Sequence, residues 1–326
     1  MKKTSKMMIA GMGVAAGAVA LGAAAYMTTK VLVQVALDRE QPKMRNLERA
    51  RNQIRGYSGC GEFFCYMADR GEELKAMPHK IVTIESYDGQ NLVGHWFPQE
   101  DAKRVIVAMH GWRSSWWSDF GMISAFWHRE KCSVLYAEQR GQGSSGGEFM
   151  GFGMMERHDC LEWVKWVNQQ YAEEIPIYLA GVSMGAATVL MAADLELPSN
   201  VRGIMADCAF TSPHEIWKHV ARKNLHLPYS IHGGVAEKLC RGKINMSPRE
   251  CSTVECLKKS KVPVWFAHGS DDHFVPVEMT YQNYCACATP KHLLIVPGAD
   301  HGMSYYLEKD RYEQEMLKFW TQYDKN

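Results

Sequence analysis

The sequence predicts an α/β fold, a mostly parallel sheet with helices on both faces. Three observations carry that reading. Short apolar, β-branched runs recur along the C-terminal three quarters of the chain, separated by segments with helical periodicity. Asp88-Gly89 sits between two alternating runs, a strong hairpin signal. One connection of about fifty residues breaks the rhythm, and a segment that long between strands reads as a lid. With 46% apolar and 22% charged residues, the composition is globular and excludes disordered, collagen-like and coiled-coil chains.

Taken in order, the elements begin with an apolar segment. Lys2, Lys3 and Lys6 precede an uncharged stretch from Met7 to Thr29 rich in Ala, Gly, Val and Met. About twenty residues of helix match the roughly 30 Å hydrocarbon core of a bilayer. The stretch also exceeds the apolar core of an ordinary signal peptide, roughly 7–15 residues. Residues 1–30 are therefore expected to be a single-pass membrane anchor. Ala23-Ala24-Ala25 marks the alternative, a cleaved signal and a secreted body. The N-terminal lysines predict translocation of the body to the extracellular side, whereas Lys30, Arg39, Lys43 and Arg45 pull the other way. Residues 31–77 read as a membrane-proximal helical segment, with a helix over 31–55 carrying basic residues on its polar side. A Gly- and Cys-containing stretch follows.

From residue 78 to the C-terminus the alternation is regular. Strands are expected over 80–86, 92–97, 104–109, 132–137, 175–180, 201–206, 262–267 and 292–296. Helices are expected between them, over 155–170 with Leu161, Val164 and Val167 on one face and over 186–193. This spacing implies right-handed crossovers between parallel strands. The lid falls at about 211–260, where Pro213, Pro228, Gly233-Gly234 and Pro248 are expected to cut it into short helices.

Charge narrows the partners. Lys plus Arg number 37 and Asp plus Glu 36, but the first 55 residues hold the basic excess. The remaining 271 residues carry 27 basic and 33 acidic side chains, which excludes a phosphate-tracking surface and hence a nucleic-acid partner. The ten cysteines are an even number, as an oxidised fold needs. Cys132, Cys160 and Cys208 nevertheless sit inside apolar runs, where a free thiol behaves as a small hydrophobe. Cys60-x4-Cys65 and Cys285-x-Cys287 are candidate pairs, but neither has zinc-site spacing, and no metal is expected.

Four motifs carry chemistry. Gly181-Val182-Ser183-Met184-Gly185 lies between a strand and a helix, the setting of a nucleophile elbow: a tight turn lifts the Ser183 hydroxyl clear of the sheet. His110-Gly111-Trp112 follows the 104–109 strand. An oxyanion hole built from the amide after the nucleophile and one from this loop would use the backbone N–H groups of Met184 and Trp112. His268-Gly269-Ser270-Asp271-Asp272 ends the 262–267 strand, and either aspartate, or Asp207 on the preceding strand, can orient a histidine there. Gly298-Ala299-Asp300-His301-Gly302 follows the last strand, so His301 completes the chain order Ser, Asp, His.

On these residues the chain from about residue 80 onward resembles the α/β-hydrolase superfamily. It is most similar to the bacterial membrane-anchored or secreted serine hydrolases grouped with serine aminopeptidase and the Bem-type hydrolases. Arg140-Gly141-Gln142-Gly143-Ser144-Ser145-Gly146 and Val275-Pro276 add to the likeness. Glu138 stands where the family usually has Asp, a structural position. The resemblance implies an eight-stranded sheet with its second strand antiparallel and selects Asp272 over Asp271.

The expected activity is hydrolysis of carboxylic esters, small or acyl and lipid, by Ser183, His301 and Asp272 without a cofactor. A peptidase or acyltransferase would use the same three side chains. A catalytically idle binding platform would usually lack one of them. Trp112, Trp116 and Trp117 beside the oxyanion loop, with Trp217 in the lid, are candidate walls of an acyl pocket; Trp116 and Trp117 alternatively pack a helix on the sheet. The expected partners are an ester or acyl substrate and a membrane through residues 1–30. The sequence leaves the number of subunits open.

Overall fold

The structure is a computed structural model that describes residues 22–42, 61–171 and 174–324. Its centre is an eight-stranded sheet formed by β1 (Lys80–Glu85), β2 (Asn91–Phe97), β3 (Arg104–Met109), β4 (Cys132–Ala137), β5 (Ile177–Val182), β6 (Val201–Asp207), β7 (Val264–Gly269) and β8 (Lys291–Val296). The order is β1-β2-β4-β3-β5-β6-β7-β8. β2 runs antiparallel to both its neighbours, and the pairs from β4 to β8 are parallel. The hairpin turns at Asp88-Gly89, where Gly89 takes φ +82°, a value that favours glycine.

Along β3 the side chains alternate between two cores. Ile106 and Ala108 join Phe120, Trp127, Tyr136, Phe319 and Trp320 on one face, while Val105, Val107 and Met109 join Trp163, Val164, Leu179 and Leu190 on the other. Burial on both faces is what makes these strands continuous apolar runs. Two strands start later than expected for a backbone reason. Pro176 and Pro263 have no N–H, so each serves the neighbouring strand only through its carbonyl, to Val105 and Ile204 respectively.

The helices are α1 (described over 22–37), α2 (Gly61–Ala76), α3 (Trp116–Arg129), α4 (Glu156–Asn168), α5 (Met184–Met191), α6 (Pro213–His219), α7 (Tyr229–Ile244), α8 (Thr253–Leu257), α9 (Val277–Ala286), α10 (Ser304–Leu307) and α11 (Lys309–Tyr323). The cap between β6 and β7 contains α6, α7 and α8. Gly233-Gly234 does not break it: both glycines lie inside α7, whose buried stripe His232, Ala236, Cys240 and Ile244 packs at i+4 spacing. Tertiary packing outweighs a propensity cost of roughly 1 kcal/mol per glycine.

Most of the expected anchor, and the later half of the expected 31–55 helix, lie outside the described residues. Where α1 is described, one side of it packs on the body of the protein. Thr29, Val33, Val35 and Leu37 are buried against the body. Thr29 Oγ1 pairs with His232 Nδ1 of the cap at 2.7 Å, and Lys243 of α7 bridges Asp38 at 2.8 Å. Arg39 then reaches the Ser145 and Gly143 carbonyls at 2.5 and 2.6 Å. Among the described residues no helix is long and apolar enough to cross a membrane. The Gly- and Cys-containing stretch before Met77 contains α2, which packs on α3 across Gly71 and Gly121; a side-chain carbon at Gly121 would overlap the α2 backbone.

All nine described cysteines are free, and Cys60 lies outside the described residues. Cys285 is exposed and Cys287 buried, so those two do not pair. The close pair is one the spacing did not suggest, Cys251 and Cys256, with sulfurs 3.7 Å apart.

Candidate active site

Between the end of β5 at Val182 and the start of α5 at Met184, Ser183 alone turns the chain. Its φ of 56° and ψ of −117° are strained for a residue with a Cβ, at a cost of order 1–3 kcal/mol. The surroundings hold it there. Its N–H donates to the Asp207 carbonyl at 2.9 Å, and its carbonyl accepts from Ala187 at 3.0 Å. A side-chain carbon at Gly185 would overlap the Met109 carbonyl, so the helix closes on the sheet only because that position is glycine.

Ser183 Oγ lies 2.9 Å from His301 Nε2, and His301 Nδ1 lies 2.7 Å from Asp272 Oδ2. The three side chains come from loops after β5, β8 and β7, all at the carboxyl edge of the sheet. Asp272 is heavily supported. Its Oδ1 accepts the N–H groups of Phe274 and Val275 at 2.9 and 2.8 Å. Its Oδ2 also faces His268 Nε2 at 3.0 Å. That same nitrogen faces the Val275 carbonyl at 2.8 Å, so Nε2 must carry the His268 proton. Thr280 Oγ1 meets the other ring nitrogen of His268 at 2.6 Å. Asp271, by contrast, is exposed and accepts from the Ser270 hydroxyl.

These contacts set the charges. Burial pushes the Asp272 carboxyl upward, but charge and hydrogen bonding from His301 and His268 hold it well below the usual carboxylate range. Burial would lower the His301 imidazole, and the Asp272 carboxylate beside it reverses this and carries it above its ordinary value. Asp300 Oδ1 accepts the His301 N–H at 2.8 Å and fixes the loop, while Phe274 packs edge-on against the ring. Asp207, the third candidate, does not contact His301; it accepts from Ser304 and Tyr312, both at 3.1 Å.

The loop after β3 comes up to the nucleophile at Gly111, where a side-chain carbon would lie 3.4 Å from Ser183 Cβ. Its conformation is fixed by residues that sequence reasoning passed over. Asp119, in the first turn of α3, accepts the Gly111 N–H at 2.6 Å and the Ser114 hydroxyl at 2.5 Å. Gln142 accepts the Arg113 N–H at 2.6 Å. Buried His110, held neutral by desolvation, accepts the Gln139 N–H at 3.1 Å and does not face Ser183. On the outer side, Trp112 Nε1 donates to the Ala36 carbonyl at 2.9 Å, and the Arg113 guanidinium donates to the Val35 and Asp38 carbonyls at 2.9 and 2.5 Å. The loop thereby caps the C-terminal end of α1. Met184 follows Ser183 as the first residue of α5, where an amide has no intrahelical partner.

Two cavities meet at Trp112 and Phe274, and Ser183 lines the larger of them. The larger, about 410 Å³, contains Ser183, His301, Gly111 and Trp112 in its walls and extends among α2 and α3. The smaller, about 100 Å³, lies beneath the cap between α1, α6 and α7. The tryptophans expected at one pocket are divided between these places. Trp112 borders both cavities, Trp117 lines the larger and Trp217 the smaller. Trp116 lines neither: it stacks on His95 at 4.0 Å and packs α3 against the sheet. Glu138 accepts from His95 at 2.8 Å and from the Ser144 N–H, a structural role. Among the described residues, the one side-chain group that could hold a metal ion is Cys208, Asp272 and His301, and the latter two already engage each other.

The comparisons with known proteins agree with this architecture. A family model described as serine aminopeptidase, S33, matches residues 100–241. The uncharacterized protein YqkD of Bacillus subtilis is 26% identical over 252 residues, covering 76% of this chain and 81% of its own. YfhR of Escherichia coli K12, also uncharacterized, is 22% identical over 268 residues, 79% of this chain and 86% of its own. The Pyrococcus furiosus esterase Pf2001 superposes with a TM-score of 0.63 at 21% identity, over 78% of this chain and 94% of that one. An esterase from Exiguobacterium antarcticum gives 0.55 at 17%, over 73% and 98%. Its sheet order, its elbow serine and these likenesses together show that the chain has the α/β-hydrolase fold, with residues 100–241 similar to the serine aminopeptidase family.

Proposed function

We propose that the protein is a serine hydrolase that cleaves carboxylic esters through an acyl-enzyme. The observation that carries this is the hydrogen-bonded chain from Ser183 Oγ through His301 to Asp272, at 2.9 and 2.7 Å, on a strained elbow. His301 Nε2 takes the proton as Ser183 Oγ attacks the ester carbonyl, and Asp272 stabilises the imidazolium through Nδ1–H. The Met184 and Trp112 amides receive the oxyanion, each worth about 3–4 kcal/mol in the transition state. His301 then protonates the departing alcohol. In the second half-reaction it activates water, which releases the carboxylic acid and restores Ser183. The esterase likenesses support an ester as substrate.

Hydrolysis of p-nitrophenyl butyrate, compared with an amide and a thioester of the same acyl group, tests the reading. The ester should turn over fastest, and Ser183→Ala should lower kcat by on the order of 10⁴–10⁶. Turnover of the amide alone would replace the esterase assignment with a peptidase one. For residues 1–30 we propose a membrane tether, supported by their uncharged Met7-to-Thr29 stretch. Recovery of the full chain from the soluble fraction of its own cells would refute it.

A further inference from the structure

We propose that the 410 Å³ cavity is the acyl-chain subsite, and that α2 makes the enzyme selective for medium-length aliphatic acyl groups. This rests on the esterase reading and adds to it where the chain lies. Three observations support it. First, the cavity is continuous with the chemistry, since Ser183 and His301 form part of its wall. Second, it penetrates the hydrophobic core: Phe120, Ile123, Trp127, Met205 and Met316 line it and are core residues buried on one face of the sheet. Third, its volume lies within the roughly 300–1,000 Å³ of small-molecule sites, whereas the cavity beneath the cap holds about 100 Å³.

The two halves of an ester make different demands. The acyl group stays bonded to Ser183 until water arrives, so a recess in the core suits it. The alcohol must leave before that water can attack, so its side must open outward. A core-lined recess therefore fits the acyl chain.

The wall contributed by α2 is specific to the segment that precedes the sheet. Gly71 and Gly121 let α2 and α3 approach until a side-chain carbon at Gly121 would overlap the α2 backbone. That crossing brings Phe63, Phe64 and Met67, on the N-terminal turns of α2, to the cavity beside Trp117. Phe63 is buried and meets Tyr306 edge-on at 5.3 Å, which fixes its ring. Phe64 and Met67 are half-buried, so they border the cavity without holding the core together. The selectivity wall thus comes from residues outside the hydrolase sheet.

The test is a p-nitrophenyl ester series from acetate to palmitate, measured as kcat/KM. Each methylene that seats against these walls should raise kcat/KM about fourfold, from roughly 0.8 kcal/mol per buried CH₂. Octanoate should therefore exceed butyrate by about 10²-fold, with decline for longer chains once the recess is full. Met67→Trp should move the optimum to shorter chains, and Leu225→Trp, which fills the cavity beneath the cap, should leave the optimum in place. A wild-type profile that is flat or falls from acetate onward would overturn the subsite while leaving the esterase reading intact. So would an optimum that moves with Leu225→Trp and not with Met67→Trp. Failure to hydrolyse any member of the series would overturn the esterase reading itself and the subsite with it.

Discussion

Replacing Asp272 by Asn tests the geometry at a single atom. Asp272 Oδ1 accepts two backbone N–H groups, from Phe274 and Val275, at 2.9 and 2.8 Å. In Asp272→Asn the amide oxygen must stay with those donors, so the NH₂ takes the place of Oδ2. There it faces His301 Nδ1, 2.7 Å away in the wild type, and His268 Nε2–H, 3.0 Å away. The amide donor forces His301 Nδ1 to accept, which puts the ring proton on Nε2, and that nitrogen can no longer take a proton from Ser183. A wrong tautomer in this arrangement costs roughly 10⁴ in kcat. The pH profile should change as well. In the wild type kcat/KM rises as His301 loses its proton, with a midpoint above the ordinary histidine value of about 6.5, because the carboxylate outweighs burial. Without the carboxylate, burial remains, and the midpoint of any residual activity should fall below that value. Asp271→Asn, at an exposed side chain, should leave both rate and profile unchanged. Steady-state kinetics on p-nitrophenyl butyrate between pH 4 and 9, with a melting curve to confirm folding, reads all of this. An Asp272→Asn enzyme within tenfold of wild type and with the same acid limb would refute the reasoning.

Other consequences follow from the same contacts. Ser183→Gly should abolish activity yet raise stability by about 1 kcal/mol in denaturant unfolding, since glycine relieves the φ of 56°. Arg113→Ala removes charged donors to the carbonyls at the end of α1 and should lower stability by about 2 kcal/mol, seen as a melting point lower by a few degrees. Gly111→Ala would place a carbon 3.1 Å from Asp119 Oδ2 and 3.4 Å from Ser183 Cβ. It should lower kcat at least tenfold with KM little changed, because the loop that meets the transition state must shift. Gly185→Ala would overlap the Met109 carbonyl and should prevent recovery of folded protein, as judged by circular dichroism.

Much of this site is legible in the sequence because its geometry depends on local rules. Strand ends mark where functional loops begin, and glycines mark where the backbone must turn sharply, so Ser183 and His301 stand out from the chain. Choosing Asp272 over Asp271 needed the family likeness. The structure supplies the reason: only Asp272 has backbone donors on one oxygen and imidazoles on the other.

What was missed depends on contacts between distant segments. Phe63, Met67, Gly71 and Leu74 do form an i+4, i+4, i+3 stripe, which signals α2, but nothing local says that it packs on α3 or reaches the nucleophile. Nothing local in α1 says that Val33, Val35 and Leu37 pack in one cluster with residues of the cap. Trp116 and Trp117 are adjacent in sequence and point to different environments, because neighbours on a helix diverge by about 100°. The supporting roles of Asp119 and Gln142 are equally invisible before the loops meet.

The most direct measurement is reaction of the folded full-length protein with a fluorophosphonate, followed by intact mass and peptide mapping. Attack by Oγ on phosphorus with loss of fluoride should add a single phosphonyl group, on Ser183, and Ser183→Ala should remain unmodified. Equal labelling of the Ser183→Ala protein, or no adduct on a wild-type protein shown to be folded, would contradict the assignment of Ser183 as nucleophile.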